Sequence, residues 1–138
     1  MQIRLTIPGT PVAKGRPKFR RVGNFVQAYT PAKTRNAEAF IAKCFKEQVI
    51  KDFKIPNKGP ISLSIEFFMP IPSSLSKKKQ RELDGGWHLK LPDLDNLSKA
   101  VCDGLNGVAW EDDSCVCSIV AVKRYDTKPR TVVFIEYF

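Results

Sequence analysis

The chain has 138 residues, of which 43% are apolar and 27% charged, and its formal net charge is +9. That length suits one globular domain with a real hydrophobic core, and the balance is ordinary for a soluble protein. No apolar run approaches the length of a membrane span, and the start MQIRLTIPG has neither an apolar h-region nor a small-residue cleavage site, so a cytoplasmic protein is expected.

Ile3, Leu5 and Ile7 alternate with Gln2, Arg4 and Thr6, which predicts a strand with one buried face. The Pro- and Gly-rich, basic PGTPVAKGRPKF reads as a loop. KFRRVGNFVQAYT then predicts two short strands around Gly23-Asn24, a hairpin. Thr30-Pro31 reads as a helix start, with Thr as N-cap and Pro in the first helical position. Ala37, Phe40, Ile41, Cys44, Phe45 and Val49 fall at helical spacing, so a long amphipathic helix is expected over about 31–53, ended by Pro56, Gly59 and Pro60.

ISLSIEFFMP alternates cleanly and predicts a strand. Residues 70–92 form a long polar connection with a short helix expected at Ser74 to Leu83, and its Lys77-Lys78-Lys79 run is either a phosphate contact or a solvated face. A second main helix starts near Pro92 to Asp95, carries Leu94, Leu97, Val101 and Leu105 as its apolar stripe, and ends at Gly104 to Gly107. CVCSIVAVKRY and RTVVFIEYF predict two closing strands joined by a turn at Asp126 to Pro129; the first is apolar on both faces and is expected at the centre of the sheet. The order β-β-β-α-β-α-β-β argues for an α+β fold: a single domain over residues 1–138, one mixed sheet with two main helices.

The four cysteines are expected to be reduced thiols. Cys115 and Cys117 form a C-x-C pair, but the remaining thiols are distant and His88 is the only histidine, so a closed zinc site is not expected; small buried hydrophobes describe them better. The absence of any His-based motif also argues against a zinc hydrolase.

The positive charge is uneven. Residues 1–60 hold thirteen Lys/Arg and three Asp/Glu, whereas residues 61–138 hold ten and eleven. Within 84–113, seven acids face only Lys90 and Lys99. The basic half predicts a polyanionic partner, most simply nucleic acid, through Lys14, Arg16, Lys18, Arg20 and Arg21. The acidic island would repel that partner. Asp93 and Asp95, at i and i+2, share one face of an extended segment at a helix start, and Asp95 and Lys99 are neighbours on one helix face. Glu111-Asp112-Asp113 follow the helix and offer a third carboxylate. Clustered oxygen ligands favour a hard cation, Mg²⁺ above all, which would bridge the acids to a phosphodiester. Spacing alone leaves open a helix N-cap at Asp93 or Asp95 and an exposed turn at the second cluster.

The longer pattern PDLDNLSKAVCDGLNGVAWEDDSCV, Pro92 to Val116, resembles the signature of the RusA family of Holliday junction resolvases, with D-x-D-N-L-x-K, a following Asp-small-Leu and a closing Asp-Asp. KGRPKFR and YTPAKT upstream are similar to family features as well, so the resemblance spans nearly the whole chain. It implies a Mg²⁺-dependent endonuclease, with Mn²⁺ as a substitute, that acts as a homodimer on four-way DNA junctions and nicks two opposed strands in recombination and repair. It carries the metal-binding carboxylates onto Asp93, Asp95 and Asp113 and the essential lysine onto Lys99. Glu111 and Asp112 compete with Asp113 for its role. Asn96 and Asp103 match the motif as supporting residues, and Asp103, four residues after Lys99, is placed to hold it. A nuclease acting on other branched DNA and a non-catalytic basic DNA-binding module are the rival assignments.

Overall fold

The computed structural model describes residues 1–56 and 58–138. Strand alternation decides which side of the sheet is covered. In β1 (Gln2–Pro8) Leu5 and Ile7 are buried while Gln2 and Arg4 face out. β4 (Ile61–Pro70) buries Ile61, Leu63, Ile65, Phe67 and Met69 on the same side, and β6 (Arg130–Tyr137) adds Val133, Ile135 and Tyr137. The main sheet has the order β1-β6-β4-β5, with β5 at Val116–Asp126. β4 is parallel to β5 and antiparallel to β6, and β6 is antiparallel to β1, so the sheet is mixed and the class is α+β.

α1 (Ala32–Gln48) and α3 (Leu94–Leu105) lay their apolar stripes into this core: Ile41, Cys44 and Phe45 from the first, Leu97, Val101 and Leu105 from the second. Full burial of each such side chain stabilises by about 1.5–3 kcal/mol. The two helices touch at Gly104, where a Cβ would lie 2.9 Å from Ile41 Cβ and 3.2 Å from the Glu38 carbonyl. α3 lies in the connection between the parallel strands β4 and β5, so its two ends lie towards opposite ends of those strands. α2 (Lys77–Leu83) is the expected short helix, begun by Ser76, whose hydroxyl accepts the Lys79 N–H at 3.2 Å.

Five expectations are corrected. The hairpin strands β2 (Lys18–Val22) and β3 (Phe25–Tyr29) form their own ladder outside the main sheet, with every residue exposed or nearly so, and Gly23 takes a positive φ of 60° in the turn. α1 ends at Gln48, not 53. Val49 is extended, and the chain folds back so that Phe53 packs edge-on against Phe45 at 5.4 Å. The helix also starts one residue late: Pro31 is the cap and no side chain, Thr30 included, caps it.

β5 is an edge strand, not a central one. Its outer side near Lys123–Tyr125 is covered by residues 85–88, and its apolar Ile119 and Val120 remain exposed, which is why a two-faced apolar run misled. Finally, Cys44 is buried as expected but Cys117 is exposed, and Cys115 belongs to a 3-10 turn at Asp113–Cys115. Among the described residues no helix is long and apolar enough to cross a membrane.

Candidate active site

The segment before α3 is fastened to β5. Gly85 N–H donates to Tyr125 O at 2.9 Å, Tyr125 N–H to Gly86 O at 2.9 Å, and His88 N–H to Lys123 O at 3.1 Å. The Lys123 ammonium reaches over and donates to the carbonyls of Lys90 at 2.5 Å and Pro92 at 2.7 Å. Arg124 stacks on Trp87 with its guanidinium carbon 4.0 Å from the ring centre. This clamp sets where Asp93 enters the helix. His88 pays for its place there: its Nδ1 is buried with no partner among the described residues, and burial first, then Lys123 and Lys90, hold its pKa below the ordinary value.

Asp93 occupies the N-cap position of α3, yet its side chain makes no capping hydrogen bond. Asp95 follows in the first turn and, among the described residues, accepts only the neighbouring Asn96 N–H, at 2.9 Å. Asp95, Lys99 and Asp103 succeed one another at four-residue steps along one helix face, and Lys99 Nζ lies 3.7 Å from Asp103 Oδ1.

The three acids after the helix are sorted by their partners. Asp112 accepts the Ser114 N–H at 3.2 Å and so begins the 3-10 turn; the Ser114 hydroxyl first, then this N–H, hold its carboxyl below the usual range. Asp113 Oδ1 accepts the indole N–H of the fully buried Trp110 at 2.8 Å. Glu111 lies with Lys58, Cys115 and Tyr137 around a separate small cavity. Asp113 therefore has an anchor of its own in the core. It also stands near the later turns of α3, because burial first and then Asp113 and Asp103 push the Cys102 thiol up to about 11.

Asp93 and Asp95 ride the start of α3 while Asp113 is tied to Trp110. Among the described residues no three His, Cys, Asp or Glu side chains are assembled to hold a metal ion. Asp93, Asp95, Glu111, Asp112 and Asp113 also have no Lys or Arg within 4.0 Å among those residues, in a chain with a net charge of +9. This donor set is all carboxylate oxygen. It fits a Mg²⁺ that takes one or two carboxylates and keeps several waters; it does not form a closed cage.

The basic residues divide. Arg16, Lys18, Arg20 and Arg21 are exposed, the last three on the hairpin. Arg20 donates to Gln27 Oε1 and stacks on Tyr29, while Arg21 donates to Gly23 O. Phe19, Phe25 and Val26 stand exposed among them. Lys14 differs in being paired: its ammonium is 2.5 Å from Glu38 Oε1 and 3.0 Å from Asp103 Oδ2. Burial alone would lower its pKa, but these two partners more than reverse that and raise it. A groove of about 640 Å³, lined by Lys14, Lys18, Lys33, His88, Leu91 and Pro92 among others, joins the hairpin's base to the chain entering α3.

Sequence reasoning did not find Trp110, Lys123 or Glu38. Trp110 precedes Asp113 by three residues, but nothing local in the sequence marks the bond between them; the other two act through long-range contacts that leave no local pattern.

Comparison with known proteins agrees with this geometry. The chain is 32% identical over 138 residues to the Bacillus subtilis (strain 168) "Uncharacterized protein YqaN", an overlap of 97% of this chain and 95% of that protein. The family model described as "Endodeoxyribonuclease RusA" matches residues 8–136, a span that holds the hairpin, the groove and every carboxylate discussed above. The chain that clamps Asp93 and Asp95 at one helix start therefore belongs to the RusA endodeoxyribonuclease family.

Proposed function

We propose that this protein is a Mg²⁺-dependent endonuclease that resolves four-way DNA junctions as a homodimer, each subunit nicking one of two opposed strands. The observation that carries this is the pair Asp93 and Asp95, unpaired with any cation among the described residues, at the start of a helix whose next turn presents Lys99. A strongly basic chain leaves these acids unneutralised where a cation and a phosphate would supply the missing charge.

Asp93 and Asp95 would hold the ion; Asp113, tied to Trp110 and not assembled with that pair among the described residues, would join only as metal and DNA draw the two together. When bound, Mg²⁺ supplies Lewis-acid stabilisation of phosphate charge and a more acidic water. The remaining work falls to this chain's own groups. Lys99 Nζ, 62% exposed at the side-chain level, is free to approach a phosphate oxygen and neutralise charge that develops there. Trp110 fixes the direction of Asp113 through one oxygen and leaves the other unbonded among the described residues. The Lys123 clamp holds the entering strand of protein so that Asp93 does not drift. The exposed hairpin offers phosphate contacts from Lys18, Arg20 and Arg21, and two-stranded ribbons of this kind fit a DNA groove. A two-fold protein matches a substrate that needs two symmetric cuts.

The test is cleavage of a synthetic four-way junction at fixed salt by wild type and Asp95→Asn, beside linear duplex. Cutting of the junction only with Mg²⁺ or Mn²⁺, lost in Asp95→Asn while binding survives, is expected. Equal rates on linear duplex would remove the junction assignment, and wild-type cutting by Asp95→Asn would remove the metal assignment.

A further inference from the structure

We propose that Lys14 is a positioning residue for Lys99 and not a DNA contact: by occupying one oxygen of Asp103, it leaves Lys99 loosely held and free to meet phosphate. This rests on the nuclease reading above for the role of Lys99.

The geometry is a chain of charges across three elements. Glu38 on α1 and Asp103 on α3 both take the Lys14 ammonium, at 2.5 and 3.0 Å, and the three side chains are only about one-fifth exposed. The backbone around Lys14 is pinned too. Its N–H donates to the Asn96 carbonyl at 3.0 Å, within the motif that carries Asp95, and the next N–H, of Gly15, donates to the buried Thr34 hydroxyl at 3.0 Å. A Cβ on Gly15 would lie 2.8 Å from that hydroxyl, so the loop crosses here with no room to shift.

Lys14 is thus fixed to both helices and already doubly paired; reaching a phosphate would mean breaking two part-buried ion pairs. Asp103 is shared. Its Oδ2 faces Lys14 and its Oδ1 stands 3.7 Å from Lys99, which is an ion-pair distance but beyond a hydrogen bond. Two lysines and two carboxylates make the group neutral. Without Lys14, Glu38 and Asp103 would face each other with Lys99 as the nearest cation on the same helix, and Asp103 would close on it at the i,i+4 spacing. Lys99 would then be drawn away from substrate.

Single-turnover junction cleavage by Lys14→Met at saturating protein, with junction Kd measured across salt, tests this. The rate is expected to fall on the order of tenfold, about 1.4 kcal/mol of barrier, with Kd and its salt slope unchanged and Lys14→Arg restoring most of the rate. A phosphate contact predicts the reverse: an unchanged rate at saturation, weaker binding and a salt slope smaller by about one. That result, or no change in any of these, overturns the proposal. A second readout needs no cleavage: the Lys99 side-chain NMR signal, assigned with Lys99→Arg, must move in Lys14→Met. If wild type cuts no junction, the functional reading fails, and an unmoved Lys99 signal separately overturns the link to Lys14. If melting shows Lys14→Met unfolded, Lys14→Gln, which keeps a polar head but removes the charge, takes its place, with the same loss of rate and the same shift expected, and overturning if neither appears.

Discussion

A carboxylate that is to serve a cation, as the proposed function asks of Asp113, has to be aimed, and there the aim comes from a single indole. Trp110 is fully buried, so its N–H needs a partner, and Asp113 Oδ1 at 2.8 Å is that partner. Trp110→Phe removes the donor and keeps most of the apolar body. Loss of a hydrogen bond to a charged group costs roughly 1.5–3 kcal/mol, so a lower midpoint in denaturant is expected. Junction cutting should fall further than junction binding, because the carboxylate stays present but loses its direction. Equal loss of both in matched assays would mean Trp110 serves packing alone.

Among the elements, the meeting of α1 and α3 controls the site's frame, since Glu38 and Asp103 face each other across it through Lys14. Gly104 lets the helices approach. Gly104→Ala sets a Cβ 2.9 Å from Ile41 Cβ and close to backbone, so a loss of about 1–3 kcal/mol is expected in chemical denaturation. The clamp on β5 gives a pH prediction. His88 is held neutral, its pKa below about 6.5. As pH falls below that value, the unfolded chain takes up the proton and the folded one resists, so acid favours unfolding. Stability is full above about pH 6.5 and declines as pH drops toward the depressed folded pKa, by at most about 1.4 kcal/mol per pH unit. In His88→Phe, which keeps a ring against Tyr125, the melting temperature should fall less between pH 7 and 5 than in wild type. An identical fall in both would assign the acid sensitivity to other groups.

The strands, α3 and the carboxylate-bearing motif were legible because they rest on local signals: alternation in Ile61–Met69, the stripe Leu97–Val101–Leu105, and D-x-D-N-L-x-K itself. Strand order was not. CVCSIVAV is apolar whether it lies at the centre or at an edge, and only its pairing with β4 and the cover from residues 85–88 distinguish the two. The end of α1 was overrun because Val49 and Phe53 continue a helical spacing, yet Phe53 reaches Phe45 through a turn. Lys14 looked like its basic neighbours by charge, and its partners lie 24 and 89 positions away in the chain.

At the scale of the whole molecule, charge is divided by place. The hairpin cations, free of ion pairs among the described residues, are carried by a two-stranded ladder with no strand in common with the main sheet, while the acids unpaired among those residues sit at the start of α3 and in the segment after it. Binding and cutting should then be separable by mutation. Arg20 and Arg21 point to opposite faces of β2, so no single surface requires both unless the ribbon enters a groove and meets phosphates on each side. Each phosphate contact contributes about 0.9 to the slope of log affinity against log salt on duplex arms. Arg20→Gln with Arg21→Gln should therefore weaken junction binding and flatten that slope by nearly two, while the cutting rate at saturating protein stays near wild type. A slope reduced by only one would place a single face of the hairpin on DNA, and an unchanged slope would move the DNA surface away from Arg20 and Arg21, toward the hairpin's base and the groove beside Lys18 and Lys33.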